Sequence, residues 1–134
     1  MRTLEELNAW GRGYLPGLIG FQVTLAEPGH LVADLAIRQE LLAPNGYLHA
    51  ATVVALADSA CGYGTMLDLP DTCRSFTTIE LKSNFLGTCL EGIVRCDASR
   101  VHSGKSTQVW DAVITDAGTG KKIALFRCTQ MLLK

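Results

Sequence analysis

The sequence lacks most of the features that advertise a function. Its 12 Lys and Arg against 13 Asp and Glu leave a formal net charge of −1. That balance offers no basic surface for nucleic acid or for an anionic membrane. No secretory apolar region is expected at the start, because Arg2, Glu5 and Glu6 interrupt it. The most apolar stretch runs only from His49 to Asp58 before it meets a charge, too short to span a bilayer. The five cysteines (Cys61, Cys73, Cys89, Cys96 and Cys128) are odd in number and contain no C-x-x-C pair. They read as small buried hydrophobes in a reducing compartment, so a cytoplasmic protein is expected. No Cys/His pair has zinc-ligand spacing, so no metal is expected. Neither G-x-x-x-x-G-K-S/T nor G-x-G-x-x-G occurs, which removes the common phosphate loops. No G-x-S-x-G elbow occurs either, which excludes an α/β-hydrolase. Without repeats, linkers or low-complexity tracts, the 134 residues are expected to form a single domain over 1–134.

What is present is one long apolar segment. From His49 to Met66 the only charged side chain is Asp58. A helix that is apolar all round belongs in a core. A carboxylate is seldom buried there without a partner or a task. Asp58 is therefore either a structural carboxylate paired with a hydroxyl or an Arg, or the centre of some chemistry.

The rest of the chain is arranged around that segment. Thr3-Leu4-Glu5-Glu6 has the form of a capping box, and Leu4, Leu7 and Trp10 share a face of a short helix ending near Gly11. Residues 13–20 read as a Gly/Pro-broken connector. Strands are predicted over 21–27 and 30–38, joined at Pro28-Gly29, and a loop over 39–48 carries Pro44-Asn45-Gly46. The apolar helix is expected to fray at Gly62 and Gly64. Four strands then follow, over 75–85, 91–101, 106–115 and 121–133. In the first of these, Phe76, Thr78 and Glu80 alternate against Thr77, Ile79 and Leu81. The predicted class is α+β: a curved antiparallel sheet of about six strands wrapped around one long helix. Such a sheet has open edges, and pairing with a second copy is the expected remedy.

The start of the long helix offers free backbone N–H groups at the positive end of its dipole. Ala50 and Ala51 are small enough to let an oxygen approach those amides, the arrangement of an oxyanion hole; equally, Ala is a good helix former. Asp58 lies eight residues beyond Ala50, about 12 Å along the axis at 1.5 Å per residue. One acyl carbon cannot touch both. If both act on one carbonyl, two chains must contribute.

Three motifs in order carry a family resemblance. Gly46-x-x-His49-Ala50-Ala51 with Leu56-Ala57-Asp58 resembles the G-x-x-H-G-G…L-A-D/E signature of hotdog-fold acyl-CoA thioesterases, in particular their phenylacetate-degradation branch. Thr78-Ile79-Glu80-Leu81-Lys82-Ser83-Asn84-Phe85-Leu86 and Val101-His102-Ser103-Gly104-Lys105 are similar to that branch's next two motifs. The resemblance covers roughly residues 18–133. It implies Asp58 as base or nucleophile, the Ala50 amide as oxyanion donor, His49 as orienting group and Thr78 as holder of the attacking water. Thr77, which alternation turns to the other face, joins Gly46, Ala51, Phe85, Arg100, His102, Gly104 and Lys105 as expected substrate or CoA contacts. Lys82 is a further candidate for the CoA phosphates. The family's Gly-Gly is Ala50-Ala51 here, and its Asn or Gln six residues before the His is Ala43. Asn45 either supplies that amide or only forms the turn.

The expected activity is hydrolysis of an acyl-CoA to a free acid and CoA, with CoA entering as part of the substrate and no cofactor besides. An aromatic or a short- to medium-chain acyl group would fit, since Ala50, Ala51, Ala57, Gly62 and Gly64 read as room for a bulky one. The expected assembly is a homodimer, itself paired into a tetramer. A hotdog dehydratase or hydratase is the first rival. Yet the H-F-P-G loop expected of one is missing, and His49 and Asp58 face opposite sides of one helix at about 100° per residue. A non-catalytic acyl-CoA-binding protein is the second; it would normally carry a further domain.

Overall fold

The computed structural model describes residues 2–134. Helix α1 spans Leu4–Trp10, opened by the expected capping box: Glu6 N–H donates to Thr3 Oγ1 at 3.1 Å and Thr3 N–H to Glu6 Oε2 at 2.9 Å. The connector read over 13–20 contains a short helix α2, Leu15–Ile19. Pro16 lies in its first turn, where a missing N–H costs nothing. A proline that reads as a breaker is here a starter.

Strands β1 (Gln22–Glu27) and β2 (His30–Ala36) form a hairpin. A 3-10 turn, Gln39–Leu41, precedes helix α3, Ala50–Leu67. Strands β3 (Ser75–Phe85), β4 (Ile93–Ser103), β5 (Thr107–Asp116) and β6 (Lys122–Leu133) complete the chain. The six strands form one antiparallel sheet in the order β1-β2-β4-β5-β6-β3. The curved sheet closes over α3, the expected hotdog arrangement. Leu56, Ala57, Ala60 and Cys61 of the helix are sealed against Leu31, Cys96, Trp110 and Cys128 of the sheet. The 18 residues of α3 have a mean hydropathy of 1.2, long and apolar enough for a membrane helix, but half of them are buried in this core.

The expected fraying at Gly62 and Gly64 does not occur. The helix continues to Leu67 because these glycines are where it meets the sheet most closely. A Cβ on Gly64 would lie 2.5 Å from the Trp110 ring, and one on Gly62 2.9 Å from Phe76. The space read as room for an acyl group is occupied by those rings at Gly62 and Gly64, and Ala57 is fully buried, while Ala50 and Ala51 are exposed at the helix start.

The strict alternation expected in β3 also fails. A bulge between Thr78 and Glu80 takes up Ile79. Phe76, Thr78, Leu81, Ser83 and Phe85 then pair with Leu132, Gln130, Cys128, Phe126 and Ala124, the buried row of β6. Glu80 pairs with Thr129 and falls on the outer face.

The two sheet edges differ. The β1 edge is short and shifted in register between Val23 and Leu25. There Asn8 of α1 acts as a one-residue strand partner: Val23 N–H donates to Asn8 Oδ1 at 2.7 Å and Asn8 Nδ2 donates to Val23 O at 3.1 Å. The β3 edge runs 11 residues with Ile79, Leu81 and Phe85 exposed.

Candidate active site

The loop before α3 fixes how the helix begins. Gly46 adopts φ 92°, which favours glycine. Ala43 N–H donates to Tyr47 O at 2.7 Å, and Tyr47 N–H donates to Asn45 Oδ1 at 3.3 Å. The Asn45 side chain is thus engaged in the turn. Thr52 Oγ1 donates to Leu41 O at 2.8 Å, which ties the first helical turn to the 3-10 segment.

His49 is the N-cap of α3. Its Nδ1 accepts the Ala51 N–H at 2.9 Å, so the neutral ring carries its proton on Nε2. His49 O accepts Thr52 N–H at 2.9 Å and Val53 N–H at 3.3 Å. Of the first four helical amides, only Ala50 N–H makes no hydrogen bond among the described residues. Ala50 is exposed. The helix therefore presents one free donor at its positive end.

Asp58 is half-buried on α3, with Oδ1 shielded from solvent and unpartnered among the described residues. Burial pushes its carboxyl above the ordinary 3.8, and the nearby Thr78 hydroxyl pulls the other way. No ion pair among the described residues includes Asp58. Thr78 Oγ1 donates to Gln130 Oε1 at 2.8 Å. Gln130 is fully buried, and its Nε2 also has no partner among the described residues. On the next strand Gln108, buried as well, accepts the Trp110 Nε1–H at 2.9 Å.

The site residues are spread over several places. Asn45, Gly46, His49, Ala50 and Ala51 gather at the helix start. Asp58 meets Thr78 over two turns further along. Arg100 is elsewhere: it donates to Asp68, which caps the far end of α3, at 3.1 Å, and its side chain lies over Trp110. His102, Gly104 and Lys105 form the β4–β5 hairpin, the His102 ring folded against Gly104. One cross-strand row, Ser103–Gln108–Gln130–Thr78, links the base of that hairpin to Thr78. Three strand spacings make this about 14 Å. Thr77 is exposed on the outer face and Phe85 is half exposed at the end of β3.

A family model described as the thioesterase superfamily matches residues 45–123, which include both the helix start and Asp58. The chain belongs to the thioesterase superfamily. This thioesterase is 36% identical over 112 residues to a 1,4-dihydroxy-2-naphthoyl-CoA hydrolase of Listeria monocytogenes, covering 83% of this chain and 89% of that one. It is 32% identical to the proofreading thioesterase EntH of Cronobacter turicensis, covering 85% and 82%. A crystal structure of a mutant thioesterase PA1618 from Pseudomonas aeruginosa superposes with a TM-score of 0.93 at 26% identity, covering 99% of this chain and 95% of that one. The protein is a thioester hydrolase with the hotdog fold.

Sequence reasoning missed Gln130. A signal for it existed: Phe126, Cys128 and Leu132 occupy the buried row of β6, and Gln130 is the polar residue in that row.

Proposed function

We propose that this thioesterase hydrolyses an acyl-CoA of the aromatic class, with Asp58 as general base and the Ala50 amide as oxyanion donor. The observation that carries the reading is Asp58 itself: a carboxylate held in a core helix with an unpartnered oxygen, beside a hydroxyl. Aromatic acyl specificity is supported by the naphthoyl-CoA hydrolase relative and agrees with the phenylacetate-degradation motifs.

The reaction uses these groups in order. Asp58 takes a proton from water held by Thr78, and the water oxygen bonds to the thioester carbon. The carbonyl electron pair moves onto its oxygen, where the Ala50 N–H stabilises it. Return of that pair breaks the C–S bond, and the proton on Asp58 passes to the leaving sulfur. The scheme invokes no metal or redox cofactor; CoA enters as part of the substrate. His102 and Lys105 on their hairpin, with Arg100, remain the candidates for the CoA moiety.

Because Ala50 and Asp58 are about 12 Å apart along one helix, the scheme draws the amide from one subunit and the carboxylate from another. The long open β3 edge supports that assembly, while Asn8 blunts the β1 edge. Two copies joined through β3 give the dimer, and packing of two dimers gives the tetramer. The five free thiols support a cytoplasmic location.

The test is thiol release from a panel of aromatic and aliphatic acyl-CoAs by the wild type and Asp58→Asn, with thermal melts as folding control. Turnover, fastest on aromatic thioesters and reduced roughly 10²-fold or more in the folded variant, is expected. An Asp58→Asn enzyme as fast as the wild type overturns the assignment of the base. Preference for aliphatic chains overturns the acyl class.

A further inference from the structure

The Thr78 hydroxyl meets two polar groups and has one hydrogen. It is hydrogen-bonded to Asp58, and its Oγ1 lies 2.8 Å from the end of the Gln130 side chain. An ionised carboxylate, the form in which Asp58 acts as a base, only accepts. The Thr78 hydrogen is therefore committed to Asp58, and Thr78 has to accept from Gln130. That requires the amide nitrogen of Gln130 to face Thr78. The two ends of a side-chain amide have the same shape, so hydrogen-bond counting decides which end goes where. With the oxygen toward Thr78, Gln130 Nε2 and Asp58 Oδ1 are both buried and unpaired among the described residues. Turned end for end, the amide donates to Thr78 and Thr78 to Asp58, and one rotation gives both atoms a partner.

The count closes one strand further out. Gln108 is paired with Gln130 across β5 and β6, and both side chains are buried. Gln108 Oε1 takes the Trp110 indole hydrogen at 2.9 Å, so its Nε2 hydrogens remain to be given. A turned Gln130 offers its carbonyl oxygen to them. Every bond in the row then points the same way, toward Asp58, an arrangement in which each bond polarises the next.

We infer that Gln130 is a positioning residue: its amide nitrogen donates to the Thr78 oxygen and so aims the Thr78 hydrogen at Asp58, at the end of a buried chain of Trp110, Gln108, Gln130, Thr78 and Asp58. The inference rests on Asp58 as the base. The donated hydrogen favours the ionised carboxylate and offsets the burial that opposes it. Thr78 keeps a second lone pair, and Asp58 its other oxygen. A water between them gives one hydrogen to each and turns a lone pair to the thioester carbon. The proton that Asp58 takes goes to the oxygen not bonded to Thr78.

The surroundings of Asp58 contain little else that titrates. Cys61 of α3 faces both Asp58 and Cys128 of β6, and its thiol is pushed well above the usual range, first by the contact with Cys128 and then by burial. Cys96 of β4 is fully buried, with its thiol likewise raised by burial. Arg100 on the buried face of β4 is held by Asp68. Glu80 and Lys82 of β3 are exposed. Phe76, Leu81 and Ser83 of β3 and Gln108 and Trp110 of β5 carry no charge.

The inference separates from simple loss of a polar neighbour. An apolar side chain at position 130 strips solvation from the carboxylate and raises its pKa whether or not Thr78 is there. Loss of the aim raises it only while Thr78 has a hydrogen to give.

The experiment uses NMR on the intact protein and the kcat/KM pH profile on an acyl-CoA. In the wild type, at a pH where Asp58 is ionised, the Gln130 side-chain NH2 hydrogens should show nuclear Overhauser effects to the Thr78 side chain. The Asp58 carboxyl is then titrated by 13C NMR in the wild type, Gln130→Met, Thr78→Val and the double variant. Gln130→Leu supplies a second apolar side chain, and thermal melts identify the folded variants. The expected result is a higher Asp58 pKa in Gln130→Met and an acid limb displaced upward by the same amount, so that activity lost in acid returns as the pH rises. In the Thr78→Val background the same change should leave the pKa in place. Gln130 NH2 hydrogens that contact Gln108 and not Thr78 overturn the inference, and the wild type alone decides this. A pKa that stays put in the folded Gln130 variants, or rises equally with and without Thr78, also overturns it. A pKa that rises while the acid limb stays in place overturns Asp58 as the base and leaves the hydrogen-bonded chain standing.

Discussion

The His49 ring accepts the Ala51 amide at 2.9 Å, and this bond decides which amide of α3 is left for a ligand. With Ala51, Thr52 and Val53 all bonded to His49, the free donor is Ala50. The imidazole thus works as a helix cap first, a role in which Ser, Thr, Asp or Asn are the usual residues.

His49→Ala is expected to lower stability by about 1 kcal/mol and to slow turnover by releasing a second amide at the oxyanion position. His49→Asn, whose side chain also caps, should recover the melting temperature. Denaturant unfolding of the two variants checks this.

Asp58→Asn should stabilise the fold while it removes activity. The folded carboxyl has its pKa raised above the ordinary 3.8 by burial. The wild type therefore has its full stability below that value and loses some as pH rises through the folded pKa. Asparagine carries no such penalty. Melting temperatures of the two proteins should converge in acid and separate, with the variant higher, as the pH approaches neutrality.

Gly64→Ala should destabilise despite alanine's helix propensity. The new methyl would meet three atoms of the Trp110 ring between 2.5 and 3.1 Å, and Trp110 is buried and tied to Gln108. Overpacking of this kind costs about 1–3 kcal/mol, against roughly 1 kcal/mol gained from propensity. A higher midpoint in urea than the wild type would contradict this packing.

Ile79→Lys places a charge at the bulge of the open β3 edge, where Ile79 is 55% exposed. Sedimentation equilibrium should show the mass falling to that of one chain, with turnover lost at the same time because the proposed site draws on two. A variant that stays paired and active argues for a different interface.

Asn8→Ala removes both hydrogen bonds to Val23 and unblocks the β1 edge. A loss of about 1 kcal/mol per bond is expected, together with a concentration-dependent rise in light scattering.

The sequence made the long helix, the strand over 75–85 and the class of the fold legible, because apolar periodicity and turn residues are local. Helix α2 was hidden because Pro16 carries opposite meanings inside a helix and at its first turn. The bulge at Ile79 was hidden because register is settled between strands, here by the pairing with β6. At the site, Asp58 stood out as a charge in an apolar helix. Gln130 did not, because its meaning comes from Thr78, 52 residues away in the chain and opposite it in the sheet. Gly62 and Gly64 looked like empty space until the rings that fill it were placed.

The unequal edges of the sheet also carry a rule about number. A sheet with two open margins can add copies at both, and nothing in its geometry tells it when to stop. Here one margin is blunted at Val23 by a side chain from the same chain, so in the proposed dimer, joined through β3, both outward margins carry that block. In that assembly, further growth along the hydrogen-bonding direction is disfavoured beyond the second copy. Asn8, remote from the proposed chemistry, would there guard the enzyme against open-ended pairing.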